Sequence, residues 1–162
     1  MILPLPKVEL DLRVRALCLR PYPNHAHGCP NYGRKLGCPP AAPMFGDRID
    51  VRQMVFAIVN HFDFRAHVER MHDAHPRWSQ RQLECCLYWQ SRARKQLSGI
   101  VKDFLREHPG NIVDPCPEAG GVNVTETLRL AGVNLEWPPR KIACQVALAG
   151  HPIVRSVSAA GK

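Results

Sequence analysis

Three single cysteines run as Cys18-x10-Cys29-x8-Cys38 through a segment that has no period of its own. Prolines at 21, 23, 30, 39, 40 and 43 and glycines at 28, 33, 37 and 46 break any helical or strand pattern there. A stretch of that length needs something to organise it, and a bound metal would serve. Cys29, Cys38 and the more distant Cys116 each precede proline, where chance gives about 0.65 such pairs. Proline keeps the residue before it extended and removes a backbone donor, and a Cys-Pro step also ends the cluster-binding run of bacterial ferredoxins. Thiolates at long intervals suit a [4Fe–4S] cubane, whose corners lie farther apart than the ligands of one ion. Zinc is the alternative, because His25 and His27 fall between Cys18 and Cys29 and complete a mixed Cys/His tetrahedron on paper. The short Cys-x2-4-Cys knuckles usual in structural zinc sites are not present.

Cys116 stands between Pro115 and Pro117, ahead of Gly120-Gly121 and a helix start at Asn123. A turn from strand end to helix start is where α/β proteins place sites, and a helix N-terminus favours a thiolate or a phosphate. Cys116 therefore reads as a fourth cluster ligand ahead of a reactive thiol beside an open iron, with a buried turn residue as the structural alternative. Glu118 is close enough in sequence to act as general acid or base in the same pocket, with an exposed turn carboxylate as the alternative.

The run Gly28-Cys-Pro-Asn-Tyr-Gly-Arg-Lys-Leu-Gly-Cys-Pro-Pro40 resembles the Cys-x2-Tyr-Gly…Cys-Pro-Pro signature of a widespread family of uncharacterised metal-binding proteins of bacteria, archaea and phages. A second patch, Cys116-Pro-Glu-Ala-Gly-Gly-Val-Asn-Val124, is similar to that family's Ser-Met-Glu-Ala-x-Gly-Ile-Asp-Val motif. The resemblance implies a bound metal, in the form of an iron–sulfur cluster, on Cys29 and Cys38, and no particular reaction. The chain lacks the family's second, cysteine-dense segment and has cysteine at 116 in place of serine, so a single cluster is expected rather than a two-cluster electron carrier.

Twenty-two basic residues, 16 of them arginine, against 14 acidic ones give a formal charge of +8. Such a balance favours attraction to polyanions, and arginine's planar fork suits phosphate. DNA, RNA or a nucleotide is the expected partner class. Two functions follow. The first is an enzyme that uses a [4Fe–4S] cluster with an open iron, as a Lewis acid or sulfur handler, on a nucleotide or nucleic acid. The second is a nucleic-acid-binding module or partner subunit with a closed structural Fe–S or zinc site. No Walker loop, Rossmann fingerprint, Gly-x-Ser-x-Gly elbow or His-Glu-x-x-His motif points to another enzyme class.

The remaining chemistry-bearing residues read as structural. Cys86 and Cys144 fit core positions, with Cys85 turned about 100° away from Cys86 on a helix. His61, His67, His72 and His75 read as solvated or capping groups. One ring of Tyr88-Trp89 reads as core, with base stacking beside Arg92 and Arg94 as the minority alternative.

The elements that must position these residues follow from periodicity. Val51 to Asn60 reads as a buried strand, His61 to His75 as a helix, and Ser79 with Gln82 as a capping box opening a helix to about Glu107. The outer face of that helix carries Arg81, Arg92, Lys95, Lys102 and Arg106. Asn111 to Val113 reads as a short strand, Asn123 with Glu126 as the cap of a helix closing at Gly132, and Leu135–Trp137 and Ile142–Leu148 as strands. The pattern predicts an α/β or α+β fold: a small mixed sheet with helices behind an irregular N-terminal metal-binding segment. The expected organisation is one domain over 1–150, with 1–50 as ligand segment, 51–150 as sheet and helix body, and 151–162 as a flexible tail. The longest apolar run, Met54 to Val59, is too short to span a bilayer, no leader pattern opens the chain, and the odd cysteine count fits a reducing compartment, so a cytoplasmic location with no membrane partner is expected.

Overall fold

The centre of the fold is a pair of nine-residue strands, Val55–Asp63 and Ile142–Gly150, which run antiparallel and pair along their whole length, from Val55 opposite Gly150 to Asp63 opposite Ile142. The computed structural model describes residues 1–21 and 26–154. Numbered in chain order, the elements are β1 (Ile2–Pro4), α1 (Arg13–Ala16), β2 (Val55–Asp63), α2 (Phe64–Ala74), α3 (Gln80–Leu83), α4 (Gln90–Glu107), β3 (Ile112–Asp114), α5 (Val124–Leu130) and β4 (Ile142–Gly150). The sheet order is β1-β2-β4-β3 and every neighbouring pair is antiparallel, so the class is α+β.

Alternation along the two long strands divides the core in two. Val55, Ala57, Val59 and Leu148 face one side, where Leu5, Phe45, Ile49, Val122, Val124 and Leu128 cover them. Ile58, Ala147 and Ala149 face the other, where Leu97 and Phe104 of α4 pack on them. Phe104 is fully buried and its ring meets Phe56 at 5.4 Å, so Phe104→Ala would cost about 3–5 kcal/mol. A third cluster, Phe62, Phe64, Trp89, Ala93 and Ala143, continues the α4 side toward the far end of the sheet.

Several sequence expectations need correction. The first residues are not all irregular: β1 pairs with β2 from Ile2 opposite Ile58 to Pro4 opposite Phe56, and proline is tolerated there because the strand lies at an edge. β2 begins at Val55 rather than Val51 and continues through His61 to Asp63, whose carboxylate accepts the Ala66 N–H at 2.9 Å and opens α2. Pairing with β4 outweighs the helical pattern at 61–63. The helix expected over 79–107 is three pieces. The Ser79/Gln82 capping box is present, but α3 ends at Leu83 and Cys85 is extended. That break lets the Trp89 ring drop against Phe62 and Phe64, at 5.4 and 5.3 Å, while its indole N–H reaches the Glu84 carbonyl at 3.3 Å. Cys86 is therefore exposed, not core, whereas Trp89 is the buried ring of its pair. His67 is buried, not solvated, within the same aromatic cluster. Leu135–Trp137 forms no strand, and Pro138-Pro139, two residues without a backbone donor, follows it directly. In the expected tail, Pro152 bridges to Ile49 and the Ile153 N–H bonds to the Arg48 carbonyl at 2.9 Å; residues 155–162 lie outside the described residues.

Candidate metal centre

Cys18 is carried by a single 3-10 turn, Leu17–Leu19, that continues α1. Asp11 starts this unit by accepting the Arg13 backbone N–H at 3.0 Å and by clasping the Arg13 guanidinium. The segment before it is tied to the chain around Val122: Leu10 bridges to Val122, the Asp11 N–H donates to the Gly121 carbonyl at 2.7 Å, and the Asn123 N–H donates to the Glu9 carbonyl at 2.8 Å. These bonds put Cys18 beside the segment that carries Cys116.

Cys29 and Cys38 belong to a chain of turns closed on itself. The Cys29 N–H donates to the Cys18 carbonyl at 2.7 Å, the Cys38 N–H to Lys35 at 2.9 Å, the Gly33 N–H to Pro39 at 2.8 Å and the Ala42 N–H to Cys38 at 2.9 Å. Gly28 makes the first contact possible. Its φ is +80°, and a Cβ there would stand 2.4 Å from the Cys18 carbonyl oxygen. Arg15 then fastens the Cys-Pro-Pro turn to α1 by donating to the carbonyls of Pro40 and Ala42, both at 2.9 Å, and to the Met44 sulfur.

Cys116 follows β3 and precedes a 3-10 turn, Pro117–Gly120. The Asp114 carboxylate accepts the Cys116 N–H at 3.0 Å and pairs with Arg48 at 3.1 Å. Gly120 lies flat on Phe45, whose amide nitrogen would be 2.8 Å from an added Cβ. Three segments far apart in sequence therefore meet here.

Electrostatics link the four thiols. Burial pushes the Cys18 thiol up, and Cys29, Cys38 and Glu118 raise it further. The Cys116 thiol is pushed up to about 11, first by burial and then by Glu118, with Asp114 and Cys38 adding to it and the Ala119 backbone acting against them. Burial also raises the Glu118 carboxyl, with Asp114 contributing. Burial is the first cause for all three groups, and neighbouring acidic groups add to it. Cys18, Cys29 and Cys38 are half-buried. Cys116 and Glu118 are exposed by surface area yet crowded by surrounding protein, as at the foot of an open concave wall.

That wall belongs to a cavity of about 460 Å³ reached by Leu17 and Pro115, the neighbours of Cys18 and Cys116, and by Glu118 itself. Pocket volumes of this order hold small-molecule ligands. Cys144 lies in the cavity wall, half-buried, and its thiol is also raised by burial. His27 is exposed, and His25 lies outside the described residues. Among the described residues, no three His, Cys, Asp or Glu side chains are placed to hold a single metal ion. The thiols converge on one region without forming an ion-sized cage.

No family model, curated protein or solved structure matches the chain. The resemblance carried by residues 28–40 and 116–124 thus bears on function as a proposal.

Sequence reasoning placed the four cysteines and Glu118 but missed Arg15, Asp114 and the cavity. Asp114 had a local signal, since an Asp two residues before a backbone N–H in a proline-flanked turn is the pattern of an Asx turn. Arg15 had none, because its partners are main-chain carbonyls about 25 residues away, and any side chain can supply those.

Proposed function

We propose that Cys18, Cys29 and Cys38 hold a [4Fe–4S] cluster, that Cys116 stands at its remaining corner, and that the protein is an enzyme acting on a nucleotide or nucleic acid. The observation that carries this reading is the convergence of four thiols and Glu118, from three segments, on one region with an open cavity beside it. A metal site replaces protons on its thiols when it fills, so thiols raised by burial and by one another are what the metal-free form of such a site should show.

When bound, the cluster would supply a Lewis-acidic or sulfur-handling iron. The chain's own residues do the rest. Gly28 and Arg15 fix the cysteine loop, Asp114 sets the direction of Cys116, and Glu118, whose carboxyl is raised by burial, is the candidate proton donor at the cavity edge. The basic surface and +8 charge favour a phosphate-bearing substrate. No helix among the described residues is long and apolar enough to cross a membrane.

Purification without oxygen tests the reading. A brown protein with about four irons and four sulfides per chain is expected, and a colourless protein with one zinc overturns it. Cys116→Ser then separates two forms. Loss or conversion of the cluster places Cys116 among the ligands and favours a closed, structural site, the second reading, for which the coupling of Cys116 to Cys38 speaks. Intact iron with lost turnover makes it a catalytic thiol.

A further inference from the structure

β3 covers only part of the edge of β4. Its three residues pair with Leu148, Ala149 and Gly150, and the chain then leaves the sheet at Pro115. Residues 142–147 keep β2 on one side and, among the described residues, have no strand on the other. The 460 Å³ cavity fills the place that a longer β3 would occupy, with Cys144, Gln145 and Val146 in its wall. A vacated strand position leaves main-chain donors and acceptors facing the space, which suits a ligand with an amide-like edge.

Three side chains narrow the ligand further. Gln145 lines the cavity, and its Oε1 is buried without a hydrogen-bond partner. The last torsion of glutamine is broad, so a ligand N–H at this wall can satisfy that oxygen at little cost. Trp137 lines the same space and is 68% exposed, so its indole face is open to a stacking partner. Arg94 reaches the cavity from α4, and among the described residues its one hydrogen-bond partner is the neutral Gln90 amide oxygen at 3.4 Å. Leu97, Val124 and Leu135 complete an apolar floor.

We infer that this cavity binds a nucleoside monophosphate, the base stacked on Trp137 with its N–H groups toward Gln145 and the bare edge of β4, and the phosphate on Arg94. A planar heterocycle with N–H donors answers the orphan acceptor and the exposed indole. A dianion answers an arginine without a carboxylate. The inference deepens the nucleotide reading above and rests on it for the reaction, but not for binding. Glu118 lies in the same wall, so the bound base comes next to the thiol centre.

The test is equilibrium binding to the full chain purified without oxygen, by calorimetry and tryptophan fluorescence, using the 5′-monophosphates of adenosine, guanosine, cytidine and uridine. The parent nucleosides and inorganic phosphate serve as comparison. At least one monophosphate should bind, at least tenfold more tightly than its nucleoside or phosphate alone. Trp137→Ala should weaken binding by about 5- to 100-fold, the range of base stacking on an aromatic ring. Arg94→Gln should bring the monophosphate down to the affinity of the nucleoside. Gln145→Leu should weaken binding about tenfold while leaving Tm unchanged or higher, since it removes a buried unpaired oxygen; a merely structural glutamine would lower Tm. Absence of binding in a protein with full iron content overturns this inference alone. Binding in a protein without iron overturns the cluster and leaves the inference standing, and binding indifferent to all three substitutions places the ligand elsewhere.

Discussion

Asp114 holds Cys116 from both ends of its carboxylate: Oδ1 accepts the Cys116 N–H at 3.0 Å and Oδ2 takes the Arg48 guanidinium at 3.1 Å. Asp114 is buried whereas Arg48 is only partly covered, so Arg48 can rehydrate if its partner is lost. Asp114→Ala should therefore cost about 1–3 kcal/mol in urea denaturation, below the full penalty of a broken buried pair. Asp114→Asn keeps an acceptor for the Cys116 amide and should retain more iron than the alanine variant. Equal iron in both would mean that Cys116 does not depend on this bond.

Two glycine substitutions should move stability in opposite directions. Gly28→Ala forces a Cβ to within 2.4 Å of the Cys18 carbonyl at a φ of +80°, so it should destabilise the fold by over about 1 kcal/mol and reduce iron content. Gly99→Ala, inside α4 with nothing within 4 Å of the new carbon, should stabilise by about 0.5–1 kcal/mol and leave iron content alone. Thermal unfolding with iron analysis on the same samples reads both.

His67 sets a pH dependence. Burial holds its imidazole below the ordinary value, Arg70 and Arg92 push the same way, and the Leu83 backbone opposes them. The unfolded chain takes up this proton near pH 6.5 while the folded chain refuses it until lower pH. Stability should thus fall as pH drops below about 6.5 and level off below the folded value. His67→Phe should flatten that part of the Tm profile. A separate acid loss remains, since Asp50 and Glu126 are held low first by side-chain hydrogen bonds from Arg52 and Arg129, and that stability disappears only as pH falls below their unfolded values near 4.

Arg92, Lys95 and Lys102 are exposed along α4, while Arg106 is occupied by Asp103 and Arg81 lies on the separate α3. If the chain binds DNA or RNA through this surface, raising salt from 50 to 200 mM should weaken the complex, with a log–log slope of about −2 to −3 for three contacts, against about −3.5 to −4.5 for a continuous five-residue face. Charge reversal at Lys95 should reduce that slope by about 1, measured by fluorescence anisotropy. A slope indifferent to Lys95 rules this face out.

The long paired strands were legible because Val55–Val59 and Ala143–Ala149 carry the small and β-branched residues of a sheet buried on both faces. The break at Cys85 was not, because α3 and α4 share one helical period and only the aromatic socket at Phe62 and Phe64 decides that Trp89 must leave it. β1 was hidden by its prolines, which an edge strand accepts and a central one does not. At the thiol centre the reactive types were visible from composition and spacing, with Gly28 adjoining Cys29 in the same run. The cavity was invisible, since it arises from how far β3 pairs along β4, a tertiary quantity with no local period.

The bridge between Leu10 and Val122 carries a cost in time. At ordinary synthesis rates of about 5–20 residues per second, Cys116 and its supporting turn leave the ribosome about 5–20 s after Cys18, and Cys29 and Cys38 follow Cys18 within about 4 s. The nascent chain therefore carries three unsheltered thiols for a long interval before the loop that completes their surroundings exists. Any metal or oxidant that reaches them first meets a half-built centre, so for a chain that takes up a cluster the order of loading and folding, and not equilibrium affinity alone, would decide which species it ends with.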